Sequence, residues 1–186
     1  MAAHALRETW ISPDDYLAME HHSPIKHEYV AGRVYAMTGT SSHHNVISGN
    51  LYMALRQHLK GTPCRVFIAD VKAKLEQADA FYYPDVMVSC EKAQDRYYRE
   101  QPTLIIEVLS PSTASRDKNE KWRAYQTLQS LKEYVLVSQD SMDVRVFRRD
   151  ESGEWKQSIY TDGMVIPLHS VEMEIPIEQV YEEVWD

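Results

Sequence analysis

Thr103-Leu104-Ile105-Ile106-Glu107-Val108-Leu109 is an apolar strand with one acid inside it. Alternation puts Ile105, Glu107 and Leu109 on one face and Leu104, Ile106 and Val108 on the other. Both faces are apolar apart from Glu107. A lone buried carboxylate is costly unless it is paired, protonated or bound to a metal. Downstream, Pro111-Ser112-Thr113 opens a helix predicted to reach about Leu131, and Glu133–Val137 is a further strand. This strand–helix–strand unit reads as a crossover between parallel strands.

Upstream, the predicted strand Tyr82–Ser89 repeats the oddity. Tyr83, Asp85 and Met87 share one face, and Pro84, Val86 and Val88 the other. A Pro-Asp turn at the strand start is the alternative for Asp85. In the helix after Glu107, residues Trp122, Ala124, Tyr125, Leu128 and Leu131 define an apolar direction. Lys121 lies within roughly 15–20° of it on an ideal wheel. A snorkelling stem would explain one such lysine. Two acids in apolar strands need a cation, however, and a shared polar site accounts for all three. Asp85 and Glu107 are then expected on neighbouring strands with their carboxylates on one face. Two carboxylates are hard ligands for Mg²⁺ with waters, and Mn²⁺ can substitute. Such an ion acidifies a water and polarises a phosphoryl oxygen. A nearby lysine can orient the water or offset charge on the phosphate.

The rest of the chain frames this unit. Ser12-Pro13-Asp14-Asp15 is a helix start. Ala31-Gly32 separates two short strands as a hairpin turn. Ser41/Ser42 open a helix to about Leu59, with Val46, Ile47, Leu51, Met53, Ala54 and Leu55 at helical spacing. A strand is predicted over Arg65–Leu75, with Asp70, Lys72 and Lys74 as a salt-bridged surface face or support for a metal site. Val144–Arg148, Trp155–Tyr160 and Met164–Leu168 look like a meander closed by a short helix near Ile177–Glu183. The expected fold class is α/β (mixed α+β): a central mixed sheet flanked by helices, with antiparallel C-terminal strands. At 186 residues it fits one domain over 1–186, with 1–11 a loosely ordered lead-in.

The formal net charge of −8 excludes a strongly basic protein that holds nucleic acid by bulk charge, though not a locally basic cleft. Cys64 and Cys90 are too few for a disulfide framework, and a reducing compartment is the simple reading. There is no signal peptide and no membrane-length apolar run, so a soluble, cytoplasmic protein without a membrane partner is expected.

Further matches fall into a pattern. Tyr83-Pro84-Asp85, Ile106-Glu107-Val108-Leu109-Ser110-Pro111-Ser112-Thr113, Asp117 and Glu120-Lys121 closely resemble the restriction endonuclease-like family widespread in cyanobacteria, within the PD-(D/E)XK nuclease-like superfamily. His27-Glu28-Tyr29 with Gly32, His44, Tyr125 and Glu133-Tyr134-Val135-Leu136-Val137 extend the resemblance from about Ser12 to Val184. Leu109 stands where the superfamily pattern has lysine. The resemblance implies that Lys121 replaces it, which the wheel reached independently. It also implies Glu28 as a third carboxylate and His44 at the cleft, near phosphate.

The reading is a metal-dependent endonuclease acting on DNA. Asp85 and Glu107 hold Mg²⁺ with the Val108 carbonyl, Lys121 assists the attacking water, and Glu28 is a further ligand or helper. Arg116 and Lys118, with Arg123, flank Lys121 and can meet phosphates; a solvated helix face explains them equally. Ser110 and Ser112 lack a His/Asp pair, so a serine hydrolase is poorly supported. The rivals are a non-catalytic binding or assembly module, and a partnered mobile-element component that works with another protein. A homodimer is expected, since two sites suit a duplex. Trp155, Tyr160, Tyr181 and Trp185 are its first interface candidates, because 12 Tyr and 4 Trp look too many for the core to hide.

Overall fold

The computed structural model describes residues 10–92, 94–110 and 114–185. Residues 1–9 of the expected lead-in, and Pro111-Ser112-Thr113 at the expected helix start, lie outside the described residues. Ile11, within that lead-in, is tied by its N–H to the Gly32 carbonyl at 3.0 Å. Helix α1, Pro13–His22, starts as its sequence dictates, with the Ser12 hydroxyl accepting the Asp15 N–H. Strands β1, His27–Val30, and β2, Arg33–Ala36, form a hairpin over Ala31 and Gly32, both at positive φ. Helix α2, Ser42–His58, is capped by Ser41.

The next stretch departs from the sequence reading. The single strand expected over Arg65–Leu75 is two: β3, Arg65–Ile68, and β4, Lys72–Leu75. The strand expected over Tyr82–Ser89 is likewise split into β5, Ala80–Tyr82, and β6, Val86–Ser89. β4 pairs with β5 and β3 with β6, so the four make one long antiparallel hairpin with a bend across its middle. On one strand Ala69 takes a positive φ of 54°. On the other, Pro84 has no N–H for a ladder. The two halves of the hairpin consequently belong to different sheets, and Asp85 sits at the bend.

Strands β7, Tyr98–Arg99, and β8, Pro102–Leu109, follow. The crossover then holds α3, Ala114–Arg116, a π turn over Asp117–Lys121, and α4, Trp122–Tyr125. It ends at Tyr125 rather than Leu131. Arg149 explains the stop: its guanidinium donates to the carbonyls of Gln126, Leu128 and Gln129, which a continuing helix would use itself. Strand β9, Glu133–Ser138, lies parallel to β8 as the crossover requires. Strands β10, Asp143–Arg149, and β11, Trp155–Thr161, complete the six-stranded mixed sheet β11-β10-β9-β8-β6-β3. The other large sheet is β2-β1-β5-β4-β7. Instead of continuing the meander, β12, Val165–Leu168, pairs with β13, Met173–Pro176, as a separate ribbon before α5, Ile177–Val180.

Both faces of β8 are covered. Leu104, Ile106 and Val108 pack with Ile47, Leu51 and Leu55 of α2 and with the C-terminal ribbon. Ile105 packs with Met87, Tyr125, Leu131 and Tyr134 on the opposite face. Full burial of each such side chain contributes ~1.5–3 kcal/mol. Of the aromatics, Tyr16, Tyr29, Tyr82, Tyr125 and Tyr134 are wholly buried and Tyr181 nearly so, whereas Trp10, Tyr97 and Trp185 are exposed. Cys64 and Cys90 are joined in a disulfide that ties the entry of β3 to the exit of β6, which corrects the expectation of reduced cysteines. Among the described residues no helix is long and apolar enough to cross a membrane.

Candidate active site

The bend of the long hairpin, the end of β8 and the π turn meet in one cleft of about 1030 Å³. Val86 is paired with Ile106, so Asp85, one residue earlier, stands opposite Glu107. The Asp85 Oδ2 accepts the Val108 N–H at 2.7 Å. That bond takes the place of the next ladder bond, where β6 has ended. The same Oδ2 lies 3.1 Å from His44 Nε2, on the first turn of α2. Within a strand, one residue's N–H and C=O point the same way. The Val108 carbonyl therefore faces the Asp85 side.

Glu107 is 2% exposed. Its Oε1 accepts the Tyr125 hydroxyl at 2.9 Å and the Lys121 ammonium at 3.2 Å. Lys121 Nζ is also 3.0 Å from Glu28 Oε1 and 3.3 Å from Asp117 Oδ1. Glu28, in β1, bonds Arg116 Nη1 through its second oxygen, and Arg116 also pairs with Glu120. Asp117 and Lys121 bound the π turn, and their spacing of four puts both on its inner side. The Tyr134 hydroxyl donates to the Asp117 carbonyl at 3.0 Å.

Among the described residues, Asp85, Glu28, Glu107 and Asp117 gather around Lys121 and Arg116, with His44 beside Asp85. Burial pushes the Glu107 carboxyl well up; Lys121 opposes this, but Asp117, Asp85 and Glu28 add to it. Burial alone would push Lys121 down, yet Glu107, Glu28 and Asp117 hold it well above the ordinary lysine value. Oxygen donors from Asp85, Glu107 and the Val108 carbonyl at this acid-rich cleft fit a divalent cation. Among the described residues no group of three or more His, Cys, Asp or Glu is placed to hold a metal ion by itself. Mg²⁺ commonly uses one or two carboxylates and keeps waters, so the donor set suits it.

A sequence profile described as "Putative restriction endonuclease" (Uma2) matches residues 13–178. The chain belongs to that family. Two uncharacterized proteins of Synechocystis sp. (strain PCC 6803 / Kazusa) are similar. One is 32% identical over 173 residues, covering 92% of this chain and 91% of the relative. The other is 30% identical over 145 residues, covering 76% and 82%. The fold is similar to the crystal structure of a putative nuclease belonging to DUF820 from Anabaena variabilis. That match has a TM-score of 0.76 at 15% identity and covers 94% of this chain and 99% of the other.

In this member of the Uma2 family, Asp85, Glu107, Lys121, Glu28 and His44 come together, with Arg116 behind Glu28. Lys118 is exposed and lines a separate small recess with Ser138, Asp140 and Arg145. Arg123 is exposed. Asp117 was not among the residues singled out for the site, although its spacing of four from Lys121 marks the same face. Lys72 was also misread. It is 5% exposed, whereas its strand neighbours Asp70 and Lys74 make the expected surface pairs with Lys26 and Glu100.

Proposed function

We propose that this cleft is the active site of a metal-dependent endonuclease that hydrolyses phosphodiester bonds in DNA. The observation that carries the reading is the gathering of Asp85, Glu107, Glu28 and Asp117 around Lys121. Burying acids together is costly, and a bound cation would relieve that cost. Asp85, Glu107 and the Val108 carbonyl would hold Mg²⁺, with Mn²⁺ as substitute. Bound there, the ion supplies a polarised phosphoryl oxygen and a water of lowered pKa.

The chain's own groups do the positioning. The Val108 N–H and His44 fix one oxygen of Asp85. Tyr125 and Lys121 fix one oxygen of Glu107. Glu28 anchors both Lys121 and Arg116 and so sets where positive charge meets the cleft. Lys121 assists the attacking water and offsets charge building on the phosphate. Arg116 and the exposed Lys118 add backbone contacts that carry no sequence information.

Cleavage of supercoiled plasmid in Mg²⁺ or Mn²⁺ tests the reading. Activity is expected in the wild type and lost in Asp85→Ala, Glu107→Ala and Lys121→Ala with unchanged circular dichroism. Nicking that persists in purified Glu107→Ala would overturn it. DNA binding without any cleavage in the wild type would leave a non-catalytic module. A two-fold homodimer would set two such sites across a duplex. Ile159 on edge strand β11, with Met164 and Val165 beyond it, offers exposed apolar surface for that contact. Light scattering at micromolar concentration should give twice the chain mass, and a monomer unchanged by DNA and metal refutes pairing. A cytoplasmic location completes the proposal, since DNA is the substrate.

A further inference from the structure

A second void of about 400 Å³ opens beside the cleft. Glu20, Asp70 and Tyr83 line both, so only these side chains separate them. Its floor holds Lys72, which is 5% exposed. The Lys72 ammonium donates to the Tyr83 hydroxyl at 3.3 Å. Among the described residues, no carboxylate lies within 4 Å of it, and two of its three N–H groups have no protein acceptor. The fold does not demand a lysine here. Ala73 and Leu75 supply the core face of β4, and the Lys72 backbone N–H already bonds the Tyr97 carbonyl. Burial pushes the lysine's pKa down, against the pull of Glu20 and Asp95. A buried ammonium with spare donors, held at the edge of a void, is costly without an acceptor to meet it.

The surroundings narrow what that acceptor is. Tyr83, Tyr97 and Tyr98 wall the void with aromatic rings, and Lys72 sits 5.1 Å from the Tyr83 centroid. Glu20, Asp70 and Asp95 line it with Lys72 and His21, and Lys26 pairs with Asp70 from outside. A phosphate would meet three carboxylates there against one lining lysine. A purely apolar ligand would leave Lys72 unsatisfied. A flat, neutral group that offers acceptors to an ammonium, donors to carboxylates and a π-face to tyrosine meets all three demands. Those are the properties of a nucleobase.

We propose that this side pocket receives one nucleobase unstacked from the nucleic acid in the neighbouring cleft, with Lys72 donating to a ring nitrogen or carbonyl and Tyr97 stacking on its face. The proposal rests on the nuclease reading of the cleft. It adds to that reading a contact that selects for a displaced base. The pocket also has a direct line to the chemistry. Tyr83 takes the Lys72 bond, donates to Glu20 at 2.9 Å, and gives its backbone N–H to Glu28 at 3.4 Å. Asp85 follows two residues later across Pro84. An occupant held by Lys72 therefore bears on the segment that positions two of the site's carboxylates.

The test compares a fluorescein-labelled duplex carrying one unpaired bulged nucleotide with the fully paired duplex of the same sequence. Anisotropy is read with Ca²⁺ in place of Mg²⁺ to hold back cleavage. An unpaired base avoids most of the unstacking cost, so the wild type should bind the bulged duplex about tenfold more tightly or better. In Lys72→Met and in Tyr97→Ala the ratio should fall close to one. Tyr97 is 52% exposed, so its variant folds even if the buried substitution does not. Equal affinity for both duplexes in the wild type, or a preference that survives in Tyr97→Ala, overturns the pocket while plasmid cleavage stands. Failure to bind either duplex refutes the nuclease reading, and the pocket with it.

Discussion

Two glutamates are buried almost equally in this molecule, yet their surroundings are opposite. Glu133, at the start of β9, is 0% exposed, and Glu107, in the adjacent β8, is 2% exposed. Glu133 Oε1 accepts from Arg148 Nε at 2.7 Å and from the His169 N–H at 3.1 Å. Its Oε2 accepts the Ser170 N–H and hydroxyl. One acid meets one guanidinium, both oxygens are filled, and the pair pins the β12–β13 ribbon to the sheet. Glu107 shares a single lysine with Glu28 and Asp117 and faces a cleft. Burial alone therefore does not mark a functional acid. Burial without a matching charge does.

Catalysis should separate the two most sharply. Glu107→Ala is expected to reduce divalent-dependent cleavage per folded molecule by about a thousandfold or more, because it removes a proposed metal ligand. Lys121→Ala should lose about a hundredfold. Glu133→Gln should stay within a few-fold of the wild type per folded molecule. Equal losses in Glu107→Ala and Glu133→Gln, after correction for folded fraction, would erase the distinction.

Stability should rank them the other way. Removing one partner of a buried, satisfied pair costs about 3–5 kcal/mol. Arg148 is partly exposed, so Glu133→Ala is expected near the lower end, about 3 kcal/mol. Denaturant titration measures it. Glu107→Gln, which relieves a surplus charge, should instead leave the protein as stable or raise its melting temperature by about 2–4 °C in EDTA. A cation in the cleft reverses that benefit. Mg²⁺ at a hundred times its dissociation constant should stabilise the wild type by about 2.7 kcal/mol and leave Glu107→Gln unmoved. An equal Mg²⁺ shift in both would place the ion elsewhere.

The comparison also shows why part of the site could be read from sequence. Glu107 stands out because period-2 alternation leaves it alone among apolar residues, and Lys121 because the helical wheel puts it on the packing side. Those signals depend only on local periodicity. What was hidden depends on partners far away in the chain. The apolar run that gives way to alternation at Asp70, and Pro84 in the second strand, mark a break, but neither says that the two halves join different sheets. The helix stops at Tyr125 because Arg149, from β10, takes its carbonyls. Lys72 reads as surface on a strand it shares with Lys74, and only the packing of Tyr83 and Tyr97 buries it. Glu133 looks as anomalous as Glu107 until the ribbon that satisfies it is in place.

The smallest expected effect comes from a third acid whose partner, Lys156, is largely exposed. Asp150 Oδ2 lies 2.8 Å from Lys156 Nζ across the β10–β11 turn, a shorter contact than any that Lys121 makes. Lys156 and Ser152 hold the Asp150 carboxyl well below the usual range. A depressed carboxyl stabilises above its unfolded pKa, and the contribution fades as pH falls through the folded value. Both groups are open to water, however, where screening and side-chain entropy leave such pairs with little net effect. Lys156→Ala is therefore expected to melt within about 1 °C of the wild type at neutral pH, in low or high salt. If distance decided the matter, this variant would lose about as much as Glu133→Ala, whose contact is 2.7 Å. A melting drop comparable to that of Glu133→Ala would show that contact geometry, and not the balance of buried charge, distinguishes the acids of this fold.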